Sequence, residues 1–147
     1  LCTLPGGIEL HNFYIPAGGD VPDPALNPKF AHKLDMLSEL AAWHEAHRDD
    51  RRRVILLGDL NIAPLPTDVW SHTQLLDVVS HTPVEVAALD RLQRAGGFVD
   101  ADRGRRLDHV WLSPALAPAL VAASVLREAR GWPQPSDHVP VSVDLDL

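Results

Sequence analysis

The spacing of hydrophobic positions changes period several times along the chain, and each change marks an element. In Gly7-Ile8-Glu9-Leu10-His11-Asn12-Phe13-Tyr14-Ile15-Pro16, Ile8, Leu10 and Asn12 alternate with Glu9 and His11. That is the period of a strand, ending near Tyr14. The stretch 17–24 is too rich in turn formers to continue a ladder. Asn27-Pro28 reads as a helix start, with Asn27 as N-cap and Pro28 at the first helical position. Phe30, Leu34, Leu37 and Ala41 follow at helical spacing and give one apolar stripe to about Trp43. Val54-Ile55-Leu56-Leu57 then forms a short apolar run, read as a strand buried on both faces. It turns at Gly58 and presents Asp59 and Asn61 two residues apart.

In the second half, the stretch 64–70 is too proline-rich for regular structure. Thr82-Pro83-Val84-Glu85 is a capping box with proline at the first helical position, and it opens a helix that runs to Ala95. Gly96-Gly97 supplies the stop. Leu107-Asp108-His109-Val110-Trp111-Leu112 reads as a strand with Leu107, His109 and Trp111 opposite Asp108, Val110 and Leu112. A further strand is expected from Val121 to Leu126. The last runs through Val139, Val141, Val143, Leu145 and Leu147, which alternate with polar residues or proline. Strands outnumber helices, so the class is α/β or α+β.

Composition narrows this picture. The chain has 147 residues, enough for one domain with a core, and 46% of them are hydrophobic. No apolar run is long enough to cross a bilayer. The net charge of −7 counts against broad, non-specific nucleic-acid binding, yet it allows a local basic groove or a site where metal ions offset acidic residues. A single cysteine, Cys2, excludes an internal disulfide framework and fits a reducing, cytoplasmic compartment. The first residues carry neither an initiator methionine nor a signal pattern, so the chain reads as one entered mid-domain. The charged run 47–53 reads as a solvated helix-to-strand connection rather than a phosphate site.

Three polar clusters stand at strand ends or starts: Asp59/Asn61, Asp108/His109 and Asp137/His138. Neighbours on an extended backbone point in opposite directions, so Asp137 and His138 serve different partners. A carboxylate from another strand would fix the tautomer of His138, and Asp108 is the natural candidate. Asp59 and Asp137 would then be oxygen ligands or water positioners suited to Mg²⁺, with Asn61 donating to a phosphoryl oxygen. Plainer readings stand beside these. Asp59 and Asn61 could bond only their own backbone, Asp137 could serve only a turn, and His109 could be a packed or surface histidine. His44 and His47 have a zinc-compatible helical spacing but lack a further pair of ligands. His72 and His81 carry no usable pattern, and Cys2 has no partner for nucleophilic catalysis. The sequence contains no Gly-rich nucleotide loop and no Gly-x-Ser-x-Gly elbow.

Taken in order, four segments carry a resemblance: Asn12-Phe13-Tyr14-Ile15-Pro16, Gly58-Asp59-Leu60-Asn61-Ile62-Ala63-Pro64, Arg106-Leu107-Asp108-His109 and Ser136-Asp137-His138-Val139-Pro140-Val141. Together they resemble the exonuclease III and AP endonuclease branch of the endonuclease/exonuclease/phosphatase superfamily. The resemblance implies an Mg²⁺- or Mn²⁺-dependent phosphodiesterase acting on double-stranded DNA at abasic sites and 3′ ends, monomeric when complete. It also implies a four-layer α/β/β/α sandwich. Residues 1–147 would be a single, incomplete domain, the C-terminal part of the catalytic domain. By the same resemblance Asp59 orients or deprotonates the attacking water, and Asn61 stabilises the transition state. His138, paired with Asp108, holds a phosphate oxygen or acts as base, and Tyr14 contacts the scissile phosphate. Asp59, Asn61 and Asp137 are the residues assigned to the metal. The family's early Asn and its metal-binding Glu have no counterpart here. Its Trp-rich segment is also missing, which marks Asp102-Arg103 as a junction over a gap. The departures leave room for two other readings. One is a phosphatase or phosphodiesterase acting on a small molecule or lipid headgroup; the other is a non-catalytic interaction module that kept the fold.

Overall fold

The computed structural model describes residues 1–101 and 107–147, so Arg106 and the Asp102-Arg103 junction lie outside the described residues. A mixed five-stranded sheet forms the centre, built from β1 (Cys2–Leu4), β2 (Ile8–Asn12), β3 (Val54–Asp59), β4 (Val99–Asp100) and β5 (Asp108–Leu112), in the order β1-β2-β3-β5-β4. β2 and β3 run parallel and are joined through α1 (Pro28–Ala46); the other pairings are antiparallel. Two further helices follow β3: the single turn α2 (His72–Leu75) and the longer α3 (Pro83–Gly96). A separate two-stranded sheet closes the chain, β6 (Leu120–Val125) paired antiparallel with β7 (Val141–Leu145).

Alternation along the strands sorts the side chains into two cores. Leu56 and its cross-strand partner Trp111 face α1 and α3, where they pack with Leu37, Ala41, Leu89 and Leu92. Ile55 and its partner Leu112 face the other way, in a smaller cluster with Ile8, Leu116, Leu120 and Leu145 that joins the central sheet to the β6–β7 hairpin. Helices, central sheet and hairpin therefore make three layers; a second helical layer, which the four-layer expectation includes, is not among the described residues. No helix among them is long and apolar enough to cross a membrane.

The caps read from sequence do form. Asn27 Oδ1 accepts the backbone N–H of Lys29. Thr82 and Glu85 complete their capping box, and Gly97 ends α3 in the left-handed conformation. Four readings need correction. β3 does not stop at Leu57 but continues through Gly58 and Asp59, because the segment after β2 keeps pairing with it: Phe13 N donates to Leu57 O, and Ile15 N to Asp59 O. Its burial is also uneven, with Val54 and Leu56 buried and Ile55 and Leu57 only partly so. The stretch 64–70 contains a 3-10 turn (Pro66–Asp68), and α2 follows it. On α1, the buried position between Phe30 and Leu37 is Lys33, whereas Leu34 is only partly covered. The charged run is neutralised locally: Arg52 makes a two-pronged pair with Glu9, Arg51 pairs with Asp49, and Arg48 with Asp50.

Candidate active site

The antiparallel register of β3 and β5 sets Asp59 directly opposite Asp108 at one end of the sheet. Glycine precedes Asp59 for a steric reason. Gly58 has φ +133°, and a Cβ on it would lie 1.9 Å from the carbonyl oxygen of Phe13. Only a residue without a side chain lets the strand pass this close while aiming Asp59 outward.

His138 completes the cluster from the segment before β7. Its Nδ1 lies 2.7 Å from Asp108 Oδ2, and since the carboxylate accepts, Nδ1 carries the proton and Nε2 faces Asp59 Oδ2 at 3.9 Å. The Asp108–His138 pairing expected from sequence is therefore present. That hydrogen bond, more than any other interaction, raises the His138 pKa above its usual value. Burial is the main cause of a raised Asp59 pKa, reinforced by Asp108 and opposed by hydrogen bonds from Asn61. Two opposed carboxylates thus flank one imidazole, an arrangement suited to accepting, holding and passing a proton.

Asn61 leaves the strand in the left-handed region, with φ +52°. Its backbone N–H donates to Asp59 Oδ1, and its Nδ2 donates to both Asp59 Oδ2 and Ile15 O. The plain local reading holds: Asn61 fixes the Asp59 carboxylate through two bonds. With both amide hydrogens engaged, it orients Asp59 in this state instead of donating outward. Tyr14, one residue before Ile15, has an exposed side chain. Asp137 lies beside His138; its carbonyl accepts from Arg130 Nη2, and its carboxylate helps raise the His138 pKa.

Mg²⁺ or Mn²⁺ can be tested against these donors. Among the described residues no group of three His, Cys, Asp or Glu side chains gathers closely enough to hold a metal ion. Each Asp59 oxygen accepts one hydrogen bond from Asn61 and keeps a further acceptor site. Asp59, Asn61 and Asp137 alone do not amount to such a group. Beside the cluster lies a groove of about 990 Å³, walled by Trp70, His81, Asp108, Arg127, Arg130 and His138 among others. Its mixture of an exposed aromatic ring and two arginines suits a ligand with flat rings and negative charge.

Four residues behind this site were not recognised from sequence. Lys33 Nζ is fully buried and donates to Asn61 O, Ala17 O and Glu85 Oε1. Glu85, foreseen only as a cap, is its ion-pair partner at 2.5 Å. His109 bonds Ile62 O and His81 bonds Ala63 O, both from buried positions. One signal was available: Lys33 falls at the 30/33/37/41 spacing of the helix's buried face.

Comparison with known proteins agrees with this fold. A model of the endonuclease/exonuclease/phosphatase family matches residues 2–138. The exodeoxyribonuclease III of Haemophilus influenzae is 27% identical over 169 aligned positions, covering 92% of this chain and 61% of that protein. Those positions outnumber the residues of the chain, so the relative carries segments absent here. Among solved structures, an AP endonuclease from Archaeoglobus fulgidus superposes with TM-score 0.87 at 26% identity, covering 97% of this chain and 63% of its own. A 3′ phosphatase from Neisseria bound to a product DNA hairpin gives 0.84 at 27%, covering 97% and 62%. A 3′-5′ exonuclease from Neisseria meningitidis gives 0.83 at 28%, with the same coverage. The chain thus spans about three-fifths of the length of these relatives.

Proposed function

Because the chain belongs to the endonuclease/exonuclease/phosphatase family, we propose that it acts as a DNA phosphodiesterase of the exonuclease III and AP endonuclease type, cleaving at abasic sites or 3′ ends by attack of water. The observation that carries this reading is the meeting of Asp59, Asn61, Asp108 and His138 at one sheet end, drawn from three separate parts of the chain.

Asp108 holds the imidazole of His138 in one tautomer, leaving Nε2 to face the reacting centre. Asp59, its pKa raised and its carboxylate oriented by Asn61, takes up or positions a proton of the attacking water. Tyr14 and the arginines of the groove contact phosphate oxygens, which leaves the protein the tasks of positioning and charge stabilisation. A divalent cation, which would supply Lewis-acid stabilisation of the phosphate, enters the proposal with ligands beyond the described cluster. The lone, exposed Cys2 suits a reducing, cytoplasmic setting.

The test is cleavage of an abasic-site duplex and of a recessed 3′ end by the protein, with Mg²⁺ or Mn²⁺ present. Asp59→Asn and His138→Ala are each expected to lower turnover by about 10²–10⁴-fold. Undiminished activity in both variants would sink the assignment. Turnover of small phosphodiesters with no cleavage of DNA would move the substrate to the small-molecule class.

A further inference from the structure

The loop that carries Asn61 is held by its carbonyls, and the donors come from three different elements. Asn61 O accepts from Lys33 Nζ of α1 at 2.8 Å, and Ile62 O from His109 Nε2 of β5 at 2.8 Å. Ala63 O accepts from His81 Nδ1, in the turn before α3, at 2.6 Å. The three donors are 0%, 2% and 4% exposed. Residues 61–63 are themselves buried, so their carbonyls need protein partners, and at all three the partner is a buried side chain from another part of the fold.

We propose that Lys33, His109 and His81 form a clamp on the carbonyls of residues 61–63, and that this clamp positions Asn61, and through it Asp59, for the reaction. The inference rests on Asp59 and Asn61 being site residues, as argued above. None of the three donors touches the reacting atoms, so all are positioning residues.

The physical argument has three parts. Asn61 stands in the left-handed region, which asparagine tolerates but which the surroundings must still select. Donors on the carbonyls that follow supply that constraint. Lys33 is itself immobilised: Glu85 Oε1 holds its ammonium, and Glu85 is fixed in turn by Ser80 N, Thr82 N and the Thr82 hydroxyl. Carbonyls only accept, so His81 must carry hydrogen on Nδ1 and His109 on Nε2. His72 Nδ1 lies 2.8 Å from His81 Nε2, so the other nitrogen of His81 is engaged by a second ring and the imidazole is held from both sides. The two imidazoles are thus used through opposite nitrogens.

That opposition provides the experiment. The amide nitrogen of asparagine sits where histidine has Nδ1, and that of glutamine reaches the place of Nε2. His81→Asn and His109→Gln keep the donor, whereas His81→Gln and His109→Asn remove it. The readouts are the Asn61 side-chain amide signals in ¹H–¹⁵N spectra and the steady-state constants on abasic-site DNA. Donor-keeping variants should leave the signals in place, with the kcat of His109→Gln within about threefold of wild type. Donor-removing variants should shift the signals and lower kcat by roughly tenfold or more, with KM little changed, as a small misplacement of a catalytic group does. If all four variants behave alike, the clamp is only packing and the proposal falls; it falls too if kcat drops while the Asn61 signals stay in place. Shifted signals with unchanged kcat would support the clamp and refute instead the part of Asn61 in the reaction. Should the donor-removing variants fail to fold, long-range ¹H–¹⁵N spectra of the wild-type imidazoles decide. Nδ1–H for His81 and Nε2–H for His109 uphold the clamp, and the opposite tautomer at either overturns it.

Discussion

Two glycines near the ends of this sheet separate conformational strain from steric exclusion. Gly7 has φ +72° with open space around the position of a Cβ, whereas Gly58 combines φ +133° with a collision against the Phe13 carbonyl. Gly7→Ala should cost about 1 kcal/mol from backbone strain alone. Gly58→Ala adds a clash that only movement of the strand can relieve, and about 3 kcal/mol or more is expected. Urea unfolding of the two variants measures the difference, and equal losses would show that the Phe13 segment yields freely. The sequence showed Gly58 as a turn and Asp59 as a candidate, and it suggested the Asp108–His138 pair from the geometry of adjacent residues. It could not show His81 or His109 at work, because a histidine that bonds a backbone carbonyl has no spacing of its own. Both were set aside as patternless or merely packed.

Among elements, the helices were legible because their signals are local: Asn27-Pro28 and Thr82-Pro83-Val84-Glu85 each contain a complete cap. The edge strands were not. β1 is three exposed residues and β4 only two residues long, and such short segments become strands only because a neighbour offers a ladder. The tie between α1 and α3 was equally hidden, since it needs Lys33 and Glu85, far apart in sequence, in one buried place. Removing half of that pair leaves the other charge stranded. Lys33→Met is expected to lose about 3–5 kcal/mol, a large share of a domain's total of about 5–15. Lys33→Arg keeps the charge but not the single-point fit among three acceptors, and should fall between. Thermal melts of both variants test this, and a Met variant as stable as wild type would show that the pair contributes nothing net.

For the molecule as a whole, the helix-side core contains imidazoles that resist charging. His44 is buried against His11, Trp43 and Phe98, and burial, with smaller effects from His11, Arg52 and His47, pushes its pKa down to about 4. The His11 pKa is lowered as well, chiefly by burial, although Glu9 opposes this. The unfolded chain therefore takes up protons first as pH falls. Stability is fully present above about pH 6.5 and is lost toward pH 4, by up to about 3 kcal/mol for His44. Melting temperature should drop across that window, and His44→Phe should flatten the drop; an unchanged slope would locate the acid sensitivity elsewhere.

The facing of Asp59 and Asp108 has a consequence for heat resistance. Like charges directly opposite on neighbouring strands weaken a sheet, and Asp59 is already disfavoured as an anion by burial. Asp59→Asn should relieve both penalties and raise the melting temperature by a few degrees, about 1 kcal/mol, even after losing one of the two bonds from Asn61. A lower melting temperature would mean that the Asn61 bonds outweigh the repulsion. Selection for endurance alone would have replaced one of these carboxylates; under the proposed function, keeping both trades thermal endurance for reactivity. The variant least able to cleave would then be the one that survives heating longest.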